Sequence, residues 1–544
     1  MADCAHESWP FTCQPEVGAQ DQPPSAGAVT FHYNRPMRWQ RWLQPLLLIP
    51  LLALALRLIP GPRVIDDAYI SFRYARNILA GLGPFYNPGE PVLGTTTPLF
   101  VMVLTALGLV TGGANASFPH LALGVSAVAD ALTCGLLVAL GRQFGKSRAG
   151  VAAAVFWAIA PWSVTFAVGG METSLFIALT SASFYFHSTR RPIGTSLCGV
   201  MALLTRPDAL LFLLPLALER LRQAARARNR HDVDQRIKPA ELLVVIGPLI
   251  AWGALSVALY GSPVPHSIAA KAVAYHLPRE ASLVRLAQHL ATPFQESQIL
   301  GSWWIAVGLV LYPSLYLLGW IPVVRQKPWV WPLAAFPWVY VIAYAVANPL
   351  LFRWYLSPPL PLYFLGIALG IDRLASDLRR RELFWGCCLL AVAAASAAWT
   401  LRPDHGSSRP APQMAYIRLE LLYHQAAERL RGELTPGATI AAGDVGALGF
   451  DTQADILDTV GLVSPESSPY YPLPTSSYVI NYAIPSQLIV DRNPDFVVLL
   501  EVYGRNTLLR DDTFLSRYGL IETYPTDIYG SRGMLIFKRG CCSE

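Results

Sequence analysis

Two adjacent carboxylates, Asp66 and Asp67, open a polar stretch directly after the first long apolar run. Residues 64–100 read VIDDAYISFRYARNILAGLGPFYNPGEPVLGTTTPLF, too rich in acids, bases and turn formers to lie in lipid. Two neighbouring acids at a membrane surface can supply a general base for an acceptor hydroxyl, and could hold a divalent cation such as Mg or Mn. The same acids would also serve as the cap of a helix over AYISFRYARNIL, whose dipole favours negative charge there. Tyr69 and Arg73 lie on that helix, Arg73 suited to a phosphate or to lipid head groups. Asn87, Glu90 and Thr96 follow in a turn-rich segment and join the candidate donor and acceptor contacts.

Further along, Glu172 in VGGMETSLF is either a helix cap or a second acid facing the same side. Arg206 and Asp208 interrupt an apolar region, where ionisable groups are costly and either pair with each other or serve a site. His266 and Lys271 fall in PVPHSIAAKA; Lys271 is a candidate phosphate contact, and His266 reads as a polar loop residue rather than a ligand. Arg353 and Tyr355 head the run RWYLSPPLPLYF. A buried arginine there suits a phosphate diester, with snorkelling to head groups as the competing reading.

What positions these residues is membrane-spanning. The chain has 544 residues, 53% hydrophobic and only 14% charged, against about 25% charge in soluble domains. Apolar runs of roughly 18 or more residues recur, enough to cross a bilayer core of about 30 Å. The net charge of +6 is modest, with the bases in short loops; a nucleic-acid partner is not expected. Of the eight cysteines, Cys134, Cys198, Cys387 and Cys388 lie in apolar runs and Cys4, Cys13, Cys541 and Cys542 near the ends. No metal-ligand Cys/His spacing occurs, and no structural disulfide is indicated.

Residues 1–41 read as a disordered cytoplasmic tail, with Arg35, Arg38 and Arg41 before the first span at 42–60. The loop 61–118 is then the first outer loop. The apolar stretch 98–112 is expected to lie in the interface, because only then does GRQFGKSR fall inside after 119–141. Spans follow at 149–168, 172–187, 193–205, 209–218, 241–260, 301–322, 328–348, 352–371 and 383–400. The loop 219–240, with seven Lys/Arg, marks the inside most strongly. The expectation is a module over 42–400 of about eleven spans, in a plasma (inner) membrane. Residues 401–544 form an extracytoplasmic soluble α/β domain, with a helix near 414–434 and strands at 438–442, 496–500 and 534–537. GDVGALG (443–449) does not match a GxGxxG loop and reads as a strand-to-turn segment.

The loop DDAYISFRYARNILAGLGPFYNPGEPVLGTTTPL resembles the first outer loop of GT-C glycosyltransferases that use polyprenyl-phosphate sugars, among them the mycobacterial terminal arabinofuranosyltransferases. GMETSLF (170–176), LTRPDALL (204–211), YGSPVPHSIAAK (260–271), RWYLSPPLP (353–361) and ATIAAGDVGALGF…ILDTVGLVSPE (438–466) extend the likeness over residues 42–500. The resemblance implies a GT-C-like polytopic fold and transfer of a sugar from a polyprenyl-phosphate carrier to an extracytoplasmic glycan or lipid acceptor. One acid of the pair would be the base, Asp67 ahead of Asp66, and Arg353 would hold the donor phosphate. The chain departs from the pattern at His266 and Leu93-Gly94, so arabinose is not carried over. An outer location excludes a nucleotide-sugar donor on access. The rival classes are a transporter or flippase, which calls for internal repeats and mid-membrane charges, and a non-catalytic envelope assembly protein.

Overall fold

Helices dominate because long apolar runs leave the backbone no partner but itself. The computed structural model describes residues 40–229, 236–294, 301–397 and 415–540. Apart from Met1–Leu43, the chain forms one compact unit over Gln44–Glu544. In order, the helices are α1 (Gln40–Leu58), α2 (Asp66–Leu79), α3 (Pro98–Thr111), α4 (Phe118–Gln143), α5 (Ser147–Ile159), α6 (Pro161–Val168), α7 (Thr173–Ser188), α8 (Pro192–Leu203) and α9 (Leu210–Asn229). They continue with α10 (Pro239–Tyr260), α11 (His266–Ala274), α12 (Ala281–Ala291), α13 (Trp303–Gln326), α14 (Trp331–Ala347), α15 (Leu360–Asp377) and α16 (Arg381–Ala397). The tail and Cys4, Cys13, Cys541 and Cys542 lie outside the described residues.

Among the described residues, five helices are long and apolar enough to cross a membrane, and a sixth span results if α5 and α6, bent by 50°, count as one. Among the described residues the expected count of about eleven is therefore not confirmed. Several expected spans are short. The 12-residue α8 extends only about 18 Å at 1.5 Å per residue; the 14-residue α3, expected in the interface rather than as a span, extends about 21 Å. Helix α9 also runs well past the expected 209–218, carrying its basic end as helix to Asn229.

The α5–α6 break has a local cause. Pro161 starts α6 and holds Ala160 extended at φ −58, ψ 130, as the residue before proline requires. Arg57 fills the gap. It is fully buried, ion-paired to Asp130 at 2.8 Å, and donates to the Trp157 carbonyl at 3.2 Å, to Ser163 Oγ at 2.9 Å and to the Ala158 carbonyl. The freed carbonyls and the buried charge satisfy each other. Helices α13 and α15 meet on glycines: a Cβ on Gly319 would lie 2.4 Å from the Gly366 carbonyl oxygen, and one on Gly370 2.0 Å from that of Leu315. Small residues at such crossings let backbones approach.

After α17 (Ala415–Leu430) and a turn comes a five-stranded sheet in the order β2-β1-β3-β5-β4. β1 (Thr439–Ala442) runs parallel to β2 (Asp455–Asp458) and β3 (Phe496–Leu500). β5 (Met534–Arg539) is antiparallel to β3 and to β4 (Tyr518–Tyr524). Helix α18 (Gly446–Thr452) crosses from β1 to β2. The sheet and α2 share one core, in which Tyr69 and Phe72 of α2 pack with Tyr423, Leu448 and Phe496.

Candidate active site

The start of α2 is held by its flanks: the Arg63 amide donates to the Val168 carbonyl at 2.8 Å and the Ile65 amide to that of Gly169 at 3.0 Å. From there the two acids part. Asp66 is buried and accepts the amides of Gly446 and Ala447, one on each oxygen, both at 2.8 Å. These are the first amides of α18, where an anion is favoured. Burial and the nearby Asp444 carboxylate push Asp66 upward, against the pull of its two amide donors. Asp67, next along, is half-buried and lines a cavity. Its carboxylate makes no hydrogen bond or ion pair among the described residues.

The rest of α2 grips the other end of α18. Arg73, 1% exposed, donates to the carbonyls of Tyr86, Gly449 and Ala454, each at 2.8 Å. Arg76 donates to the Phe450 carbonyl at 2.6 Å. The Asp66 and Arg73/Arg76 spacing thus matches the dipole of one short helix, acid at its N-terminus and bases at its C-terminus. Asn87 completes the edge of β2, accepting the Ile456 amide and donating to the Ile456 carbonyl, both at 3.0 Å, while Glu90 accepts from Asn87 at 2.8 Å. Tyr69 donates to Glu420 at 3.0 Å and meets His424 Nε2 at 3.1 Å.

The cavity has a volume of about 670 Å³. It brings together Asp67, Thr96, Glu172, Arg206, Asp208, Lys271 and Tyr355 of the residues singled out from the sequence. Arg206 forms a fork on Asp208 (3.0 and 2.9 Å), reaches Glu172 at 3.2 Å and lies 4.6 Å over the Tyr355 ring. Tyr340 and Tyr344 donate to the same Asp208 oxygen at 3.1 and 3.0 Å. Arg206 is therefore balanced by its own carboxylates. Lys271 has no carboxylate partner among the described residues and lies 5.4 Å over the Phe352 ring. Burial disfavours its charge, but Tyr355, Asp67 and Glu172 outweigh that and raise its hold on the proton.

Asp66, Tyr69, Arg73, Asn87, Glu90, His266 and Arg353 do not line the cavity. His266 meets Ser468 Oγ at 3.2 Å, and the exposed Arg353 lies 5.9 Å over the Trp162 ring. Sequence reasoning missed Ser71, Tyr275, Tyr344, Asn348 and Leu462, which also line it. Leu462 arrives through a buried turn: the Asp458 carboxylate accepts the amides of Val460 and Val463 at 2.9 and 3.0 Å. The DTVG run was the one available signal for it. Among the described residues no three His, Cys, Asp or Glu gather at metal-binding spacing. Each Asp66 oxygen accepts one amide, and Asp67 stands at the cavity.

Residues 413–537 match a family described as a domain of unknown function (DUF8728). A terminal beta-(1->2)-arabinofuranosyltransferase of Mycobacterium tuberculosis is 29% identical over 160 residues, which is 28% of this chain and 24% of that protein. The aligned region thus spans about a quarter of that relative. Among solved structures, ArnT from Cupriavidus metallidurans bound to undecaprenyl phosphate superposes with a TM-score of 0.55 at 12% identity, over 93% of this chain and 99% of that one. The Archaeoglobus fulgidus oligosaccharyltransferase AglB, in complex with an inhibitory peptide and a dolichol-phosphate, gives 0.53 at 13%, over 93% and 75%. At these identities the likeness establishes a shared fold over most of this chain.

Proposed function

We propose that this chain is a membrane glycosyltransferase that moves a sugar from a polyprenyl-phosphate carrier to an acceptor hydroxyl, with Asp67 as the base. The observation that carries the reading is the division of the acid pair. Asp66 is committed to α18, and Asp67 stands at a cavity of about 670 Å³ without a partner among the described residues. The partial likeness to an arabinofuranosyltransferase and the fold shared with two proteins captured with polyprenyl phosphates support the donor class.

In the proposed reaction the acceptor oxygen attacks the anomeric carbon as Asp67 takes its proton. The new C–O bond forms while the bond from that carbon to the phosphate oxygen breaks, and the phosphate leaves with the electron pair. Direct displacement inverts the anomeric centre, by the geometry that distinguishes inverting from retaining glycosidases. The donor is a phosphate diester, and cleavage at the anomeric carbon releases polyprenyl phosphate, a monoester that departs as a stable anion, so one base suffices. Lys271, lining the same cavity and lacking a carboxylate, is the cation suited to it; Arg206 is already neutralised. No step is routed through a metal.

The test is release of polyprenyl phosphate from labelled carriers by the purified full chain. Asp67→Asn should lower release by about 10²–10⁴-fold while eluting and unfolding as the parent does. Full release by that variant overturns the assignment of the base. Movement of intact carrier across a vesicle bilayer without bond cleavage makes the protein a transporter instead.

A further inference from the structure

A second hollow lies away from the cavity, between α8, α9 and α10. Its volume is about 350 Å³. It lies one helix-length from the cavity: α7 leads from Glu172, in the cavity wall, through 16 residues to Ser188, about 24 Å. The hollow's walls are apolar, with Val200, Leu213, Val245 and Leu249 facing in. Its mouth is basic, with Arg190 and Arg191. The surrounding face of α10 is apolar and open, Leu243 being 72% and Ile250 64% exposed, so the hollow opens where lipid must lie.

The mouth is built for an anion. Arg190 adopts φ +58, in the left-handed region that costs a non-glycine residue energy unless its surroundings hold it there. The turn so formed sets both arginines at the rim. The Arg190 guanidinium lies 4.1 Å over Trp329, whose carbonyl meets His187 Nε2 at 2.7 Å. Arg220, deeper in, is spent on Glu241 through a fork of 2.8 and 2.6 Å. That leaves the charges of Arg190 and Arg191 without a carboxylate among the described residues. A soluble anion would not need the apolar walls, and a hydrocarbon would not need the arginines.

We infer that this hollow binds an anionic phospholipid, its phosphate at Arg190 and Arg191 and an acyl chain along Val200, Val245 and Leu249. The site does not depend on the reading of the acid pair. It is tested on the purified full chain in detergent, with phosphatidylglycerol and phosphatidylcholine of identical acyl chains and with glycerol 3-phosphate, by native mass spectrometry. Phosphatidylglycerol is retained at about tenfold or more lower concentration than phosphatidylcholine, and glycerol 3-phosphate is not retained. The double change Arg190→Gln, Arg191→Gln removes the difference between the lipids, and Arg190→Lys, Arg191→Lys keeps most of it. Val245→Trp, on the lightly packed α10, weakens retention of both lipids and leaves polyprenyl-phosphate release unchanged. Equal retention of the two lipids by the parent, or an unchanged preference in the glutamine variant, overturns the inference. So does displacement of phosphatidylglycerol by polyprenyl phosphate but not by excess anionic phospholipid.

Discussion

Replacing Gly446 by alanine should uncouple the sheet domain from α2. A Cβ at this position would lie 1.7 Å from the Asp66 carbonyl oxygen, 2.5 Å from its carbon and 2.8 Å from Asp66 Oδ2. Two of those atoms are backbone, so no rotamer relieves the clash, and α2 and α18 must separate by well over an ångström. The hydrogen bonds from Gly446 and Ala447 to Asp66, now at 2.8 Å, cannot survive that. Losing a buried hydrogen bond costs about 1–3 kcal/mol, so with two lost docking should weaken by about 2–6 kcal/mol. Asp67, one residue on, loses its register against the cavity, and release of polyprenyl phosphate should fall with it. Amide hydrogen exchange of 66–79 and 446–452 reads the docking, and the release assay reads the function. Gly432→Ala, where a Cβ meets nothing within 4 Å, is the control. Parent-like exchange and release in Gly446→Ala would refute the view that Asp66 fastens the two parts together.

Arg206→Met strands Glu172 and Asp208 as buried carboxylates and should cost about 3–5 kcal/mol, read as a lowered unfolding midpoint; Arg206→Lys recovers part, lacking the planar fork. Arg57→Met removes the partner of Asp130 and of the carbonyls at the α5–α6 break, with a loss of similar size; an unchanged midpoint would contradict the filling role assigned to it. His424 is opposed by burial, but hydrogen bonds to Asp451 and Glu420 dominate and raise it to about 10. Since the folded value lies above the unfolded one, its contribution is complete below about 6.5 and fades as pH rises through about 10. Protection factors, exchange corrected for its intrinsic pH dependence, at 69–76 and 415–430 should therefore fall between those pH values, and His424→Gln should flatten that profile.

The sequence by itself determined the membrane class and the neighbourhood of the site. Apolar runs and sparse charge leave helices as the main solution, and an acid pair beside them stands out because ionisable groups are costly near lipid. Arg206 with Asp208 was legible as a pair because the two are close in the chain. Three strands could be read from β-branched and apolar runs, whereas β2 carries an acid at each end and β4 alternates with solvent, too short a signal for either. Only the tertiary structure decided which residues face the cavity. Much of the loop that stands out in the sequence, Asp66, Arg73 and Asn87 included, is spent on α18 and β2. The partners of Asp66 lie 380 and 381 residues away, and a local pattern of charges reads the same whether it awaits a substrate or a distant helix end. What separates Asp66 from Asp67 is the pair of amides that α18 brings to one of them.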